Sequence, residues 1–320
     1  MRIFRYTGRA VKSAARAHSR LACKYKGHVI VWDICSEKVG LYMRIIDAHL
    51  HFCPDEPGYF SDIARAAGHE NTEEHLRRVY ERLGIIGGVV MGNGGLELKE
   101  HEKYPSYLRY CIGLDSMCLR SSEEGFSGRI WDRVELHLKR KNCVGIKLYP
   151  GYNPYYITDA VYGPCYELAK AYKKPVAVHT GETAGTGAIL KYSHPLTLDE
   201  AAVAHPDVNF VMCHFGNPWL QDAACVTAKN ENVFADISGL LEGRNNPDEY
   251  FKDQKGYTDL LITWIKYMGD YQKLMFGTDW PLANLEDYIE IVKRLIPEKY
   301  HEPVFCNNAV RIYGLWDMLS

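Results

Sequence analysis

The sequence predicts a single-domain α/β protein, a closed (β/α)8 or TIM barrel spanning residues 43–320. Three observations carry that prediction. Eight short apolar runs alternate with helical patterns along the stretch. Most of these runs are continuously apolar, as strands covered on both faces must be. Polar residues suited to chemistry interrupt them at one end, the carboxyl-terminal end, where such barrels carry their active sites. The length also fits, since these barrels typically take about 250 residues. An open doubly wound sheet is the alternative. It would more often place a glycine-rich nucleotide turn after its first strand, where this chain has His49 and His51.

The first strand is expected at 44–51 (RIIDAHLH), and the others at 85–91, 108–114, 143–149, 175–180, 209–215, 233–238 and 273–278. Between the first two, Asn71 and Glu74 are spaced as a capping box, Leu76, Val79, Tyr80 and Leu83 share one helical face, and Gly84 is the stop. The stretch 92–106 is only weakly helical. Thr197 and Glu200 repeat the capping pattern, and Pro206 ends that helix. Asn217 before Pro218 reads as an N-cap followed by proline at the first helical position. Residues 257–268 and 285–296 are longer amphipathic helices, stopped by Gly269 and Pro297.

Residues 1–42 stand apart in composition. They carry nine basic and two acidic residues, whereas the whole chain has a net charge of −2. This segment reads as a basic N-terminal extension, either a targeting segment or sequence upstream of a functional start at Met43, and is expected to be dispensable for folding and catalysis. The small net charge gives no electrostatic reason to expect nucleic acid or an anionic membrane as partner. No apolar run approaches the ~18–20 residues of a membrane span. Ten cysteines lack Cys-x-x-Cys spacing, which argues against a zinc ribbon and suits a reducing cytoplasm. A homo-oligomer is compatible with everything in the sequence.

The candidate site follows from strand ends. His49 and His51, two apart on a strand, point to one face and can converge on one ion. His179 (VAVHTG) and Asp279 (FGTDWP) fall at the same rim, and these four are the expected metal ligands. Asp279 alone could cap a helix. At a barrel mouth it can ligate metal and take a proton from activated water. His214 (VMCHFG) can bind a second ion, polarise a substrate group or transfer a proton. Lys147 (GIKLYP) sits in a strand too apolar for an unpaired ammonium. It can pair with a carboxylate, hold an anionic substrate, carry a carbamate bridging two metals, or reach solvent at the strand end. Tyr149, Tyr152, Tyr155 and Tyr156, with Trp219 and Trp280, are candidates for the wall of a substrate pocket.

Taken in order, IDAHLHF, GIKLYPG, VAVHTG, VMCHFG and FGTDWP, with the closing NNAVRIYGL, resemble the amidohydrolase superfamily. The branch they resemble includes aminocarboxymuconate-semialdehyde decarboxylase and related aromatic-acid decarboxylases. The resemblance covers about residues 43–320. It implies a mononuclear pattern of His49, His51, His179 and Asp279 on one divalent ion, most simply zinc, with His214 catalytic. It also places Lys147 on the strand where binuclear relatives carry a carboxylated lysine, so a second metal follows if Lys147 is carboxylated. The expected function is metal-dependent hydrolysis of a C–N or C–O bond in a small, cyclic or carboxylated substrate, with Asp279 as proton acceptor and His214 stabilising charge on the attacked oxygen. The rivals are a non-oxidative decarboxylase using the same site and a catalytically silent barrel serving as a binding protein.

Overall fold

The structure is a computed structural model, and it describes residues 19–25, 28–34, 43–92, 95–114 and 128–319. The chain divides into two compact units, Met1–Tyr42 and Met43–Ser320. In the first, β1 (Ser19–Tyr25) and β2 (His28–Ile34) pair antiparallel. The expectation that 1–42 is dispensable falls largely outside the described residues and stands as a proposal.

The second unit is the expected barrel. Its strands are β3 (Ile45–Leu50), β4 (Ile85–Met91), β5 (Leu108–Leu114), β6 (Cys143–Leu148), β7 (Val176–Val178), β8 (Phe210–Met212), β9 (Val233–Asp236) and β10 (Leu274–Met275). Each pairs in parallel with the next, in the order β3 to β10. The ring closes between the last strand and the first. Ala48 N donates to Phe276 O (2.9 Å), Asp279 N to His49 O (2.8 Å) and His51 N to Trp280 O (2.9 Å). The strand residues are almost wholly buried, which is why the runs read as apolar without alternation.

The later strands are shorter than the sequence suggests. β8 ends at Met212 because Cys213–Gly216 turns sharply, with His214 and Phe215 at φ 62° and 47°. The helices lie near their expected positions, but two caps differ. Thr72, not Asn71, caps the helix Glu73–Leu83, accepting from His75 N. Asn71 instead donates to the Cys53 carbonyl. Leu196–Ala204 has no side-chain cap, and Thr197 bonds back to the His194 carbonyl. The helix after Asn217-Pro218 starts at Leu220, with Trp219 at its N-cap.

Two apolar clusters hold the unit together. One joins the strands to the surrounding helices. The other unites inward residues such as Ile46, Val89, Val144 and Val211 with Ala309, Val310, Ile312 and Tyr313 of the helix Asn308–Tyr313. The closing segment of the chain therefore packs against the barrel's own interior and leaves the carboxyl ends of the strands for the site. Among the described residues, no helix is long and apolar enough to cross a membrane.

Candidate metal centre

The site is built where the first and last barrel strands meet. Asp47, two residues before His49, is fully buried. It accepts from Tyr80 OH (2.8 Å), Thr278 Oγ1 (2.6 Å) and Thr278 N (2.9 Å). Burial pushes its carboxyl up to about 6, against the pull of those donors. Asp47 thus ties β3 to the segment after β10. Close approach is also needed at Gly277, where a Cβ would lie 2.9 Å from the His49 Cβ. These constraints bring His49 opposite Asp279.

The histidine tautomers follow from their partners. His49 Nδ1–H donates to Asp236 Oδ2 (3.0 Å), and His51 Nδ1–H donates to the Met91 carbonyl (3.2 Å). Both rings therefore present Nε2 as the lone-pair nitrogen. These Nε2 atoms stand 3.5 and 3.2 Å from Asp279 Oδ1. Even so, His49 Nε2 and Asp279 Oδ1 are buried and make no hydrogen bond. Lone pairs facing one another repel, and a cation among them removes the conflict. Ligating histidines ordinarily donate their other N–H to a carboxylate or carbonyl, as both do here. On chemistry and orientation, His49, His51 and Asp279 fit a divalent ion, with their donor atoms all within 4.8 Å of one another.

His179 lines the same cavity, but its Nε2–H donates to the Glu182 carbonyl (3.1 Å) and it is not grouped with the other three. Its ring lies 5.1 Å from that of His214. Of the four expected ligands, three are brought together and the fourth stands one ring away. His214, His49 and Asp236 form a second close group. Its short His49–Asp236 contact is the hydrogen bond already described, so Asp236 orients the His49 ring. Asp236 Oδ1 also accepts from His214 N (2.9 Å) and Ser238 Oγ (2.5 Å). His214 Nδ1 meets Ser238 Oγ at 2.9 Å and Asp279 Oδ2 at 3.9 Å.

His214 and Asp279 both hold left-handed backbone, at φ 62° and 57°. Non-glycine residues rarely adopt it, and such strain collects at functional sites. Gly239 leaves the space they need: a Cβ there would lie 2.8 Å from His214 Nδ1 and 3.0 Å from Asp279 Oδ2.

The electrostatics separate acids from bases. Burial works against the Asp279 carboxylate, but His51, His214 and His49 more than offset it and hold the group well below the usual carboxylate range. Burial, reinforced by Lys147, pulls His49 down to about 4. His179 and His214 are lowered as well, chiefly by burial. At neutral pH His49, His179 and His214 are thus neutral imidazoles beside an ionised carboxylate, the protonation state a metal requires.

Lys147 is 1% exposed and lies at the cavity floor. Its Nζ donates to Cys213 Sγ (2.8 Å) and sits 5.2 Å from the Tyr149 ring centre. Among the described residues no carboxylate pairs with it, so the expected ion-pair partner is replaced by a thiol and an aromatic face. The solvated alternative is corrected too, because the side chain turns inward.

Above the floor is a cavity of about 570 Å³, walled by Tyr59, Phe60, Tyr149, Tyr152 and Leu282 and bordered by Glu182 and Glu242. Tyr149 and Tyr152 are where the sequence suggested. Trp219 and Trp280 are not in the wall. Trp280 is buried against His69 and His75, and Trp219 packs on His194. Trp219 directly follows Pro218 and Trp280 directly precedes Pro281. Tyr156 packs on Tyr192 instead. Sequence reasoning passed over Asp47, Asp236, Ser238 and Thr278. A usable signal existed for Asp236, a carboxylate ending the apolar run VFAD.

Comparisons with known proteins bear on the family and the fold. A family model described as amidohydrolase matches residues 122–315, well over half the chain. No curated protein matches the sequence. Among solved structures, a probable 2-pyrone-4,6-dicarboxylic acid hydrolase from Acinetobacter baumannii is 15% identical, with TM-score 0.57, covering 85% of this chain and 100% of its own. A 2,6-dihydroxybenzoate decarboxylase from Rhizobium is 16% identical, with TM-score 0.58, over 85% and 99%. An amidohydrolase from Burkholderia multivorans, solved with bound zinc, is 16% identical, with TM-score 0.59, over 85% and 99%. At these identities the likeness is one of fold.

Proposed function

The chain belongs to the amidohydrolase family, and from that premise we propose that it is a zinc-dependent hydrolase cleaving a C–N or C–O bond in a small substrate. One observation carries the reading. His49 Nε2 and Asp279 Oδ1, buried and without hydrogen bonds, face each other at the floor of an open cavity. His49, His51 and Asp279 would hold the ion, with His179 joining them from the adjacent wall. Bound there, the ion supplies Lewis acidity and lowers the pKa of a water toward ~7. The bound zinc in the Burkholderia multivorans barrel supports the choice of metal.

The chain's own groups then divide the work. Asp279 has two unlike oxygens: Oδ1 faces His49 and His51, and Oδ2 faces His214 at 3.9 Å. Oδ2 is placed to accept the proton of an attacking water and return it to the leaving group. His214 donates Nδ1–H to Ser238, so its Nε2 carries the lone pair and is placed to take up a proton and then, as imidazolium, to stabilise charge on the attacked oxygen. Lys147 orients a carbonyl or carboxylate oxygen at the floor, and Tyr149 and Tyr152 exclude water from the sides.

A second reading, non-oxidative decarboxylation, is favoured by one observation. Lys147 is a buried cation without a carboxylate partner among the described residues, and a substrate carboxylate next to the metal ligands would supply one. Metal analysis of the purified protein, followed by amides, lactones and aromatic carboxylic acids as substrates, tests both. Incorporation of 18O from water marks the hydrolase. Release of carbon dioxide without it marks the lyase. A metal-free folded protein, or turnover surviving in Asp279→Asn, overturns the metal-dependent reading.

A further inference from the structure

We propose that Glu182 and Glu242 form an acidic rim that selects substrates whose outward end carries an ammonium or other hydrogen-bond-donating group, and that disfavours a second carboxylate. The proposal rests on reading the floor as a metal site. Both carboxylates line the cavity that ends on His49 Nε2, the buried nitrogen with no hydrogen bond. Both are exposed, and among the described residues neither forms an ion pair. Apart from the histidines, the only cation among the described lining residues is Lys147, which lies at the buried floor. With a divalent ion held beside the Asp279 carboxylate, the floor would carry net positive charge together with Lys147, while the mouth carries the two glutamates.

The rim is held by backbone, which fixes where each glutamate leaves the chain. Glu182 N donates to the Asn217 carbonyl (2.8 Å), and the Glu182 carbonyl accepts from His179 Nε2 (3.1 Å). Gly181 before it, at φ 96°, packs so closely that a Cβ would strike the Asn217 carbonyl oxygen. On the other side, Gly243 N donates to Leu282 O (2.9 Å) and Gly243 O accepts from Asn284 N (2.8 Å), which pins the residue after Glu242. The Glu242 charge also reaches Tyr59 on the cavity wall, where burial first and then Glu242 raise the phenol. A substrate seated with its reacting carbonyl at the floor meets these two carboxylates with its far end. Like charges placed together there cost affinity, and an ammonium gains it.

The test uses hydroxamic acids, which chelate zinc, on the zinc-loaded full chain. Calorimetry compares benzohydroxamate with its 4-aminomethyl and 4-carboxy derivatives, so the chelating end is constant and the outward end changes sign. The expected order of affinity is aminomethyl, unsubstituted, carboxy, each step being up to about fivefold per carboxylate met. The spread should shrink in 0.5 M salt and collapse in the Glu182→Gln/Glu242→Gln double variant, whose isosteric surface changes should leave the melting temperature in place. Equal affinities, or tightest binding of the carboxy derivative, would overturn the rim while leaving the metal site standing. If none of the three probes binds the zinc-loaded protein, the reading of the floor fails and the rim proposal with it.

Discussion

Replacing Asp236 with asparagine should cost metal affinity without touching a ligand. Asp236 uses both carboxylate oxygens. Oδ2 accepts from His49 Nδ1 at 3.0 Å, and Oδ1 accepts from His214 N, Ser238 N and Ser238 Oγ at 2.9, 3.2 and 2.5 Å. Asparagine keeps one acceptor oxygen. If that oxygen stays with the three donors, an NH2 group faces His49 Nδ1. The ring must then move its proton to Nε2 and lose the lone pair aimed at the metal. If the amide flips, His214 N and Ser238 face a donor instead. Either arrangement leaves buried polar groups unpaired, at about 1–3 kcal/mol. Loss of such a supporting partner typically lowers metal affinity by about 10–100-fold, or about 1.4–2.7 kcal/mol. A competition titration of zinc against a chromophoric chelator reads this directly, with circular dichroism confirming the fold. Unchanged zinc affinity in folded Asp236→Asn would refute the claim that this carboxylate sets the His49 tautomer.

Other consequences are equally accessible. Gly239→Ala places a methyl 2.8 Å from His214 Nδ1 on a residue at φ 62°, so turnover should fall by at least tenfold and stability by about 1–3 kcal/mol, read from kinetics and denaturant melts. Chelation of the metal should lower the melting temperature by several degrees and re-addition of zinc should restore it; an ion held at 100 times its Kd contributes about 2.7 kcal/mol. Buried His137, bonded to Tyr110 OH and the Leu96 carbonyl, is pulled by burial from 6.5 to about 4. Its folded form binds fewer protons than the unfolded chain in that window. Its contribution, up to about 3 kcal/mol, is therefore present above pH 6.5 and lost as pH falls toward 4. The pH slope of urea midpoints over that range should lessen in His137→Gln, and an unchanged slope would count against the assignment.

The sequence makes the barrel legible because its strands are covered on both faces. The runs at 85–91 and 108–114 match β4 and β5 residue for residue. It reads less well at β8 and β10, where left-handed residues and the closure seam cut the strands short without changing their hydrophobicity. The candidate site was visible because His49, His51, His179 and Asp279 break or end apolar runs at one end, and the structure groups all but His179. Asp47 and Asp236 were harder to see, because their value lies in partners far along the chain: Thr278 is 231 residues from Asp47, and His49 is 187 from Asp236. Trp219 and Trp280 misled for the opposite reason. Their size and nearness to site residues suggested a wall, but nothing local shows which way a side chain leaves a turn.

The position of the centre on the seam between β3 and the segment after β10 also sets when it can come into being. His49 sits near the start of the barrel and Asp279 near its finish, and their backbones bond directly, Asp279 N to His49 O at 2.8 Å. An incomplete ring has the histidines but not the carboxylate opposite them. Such long-range contacts form late, after the loop entropy between them has been overcome. High-affinity ion capture is thus reserved for a chain that has finished its circuit in the correct register, since a one-residue slip at the seam would turn the strand's side chains to the other face. Uptake of the ion in refolding experiments should report ring closure itself, lagging behind the gain of helical signal.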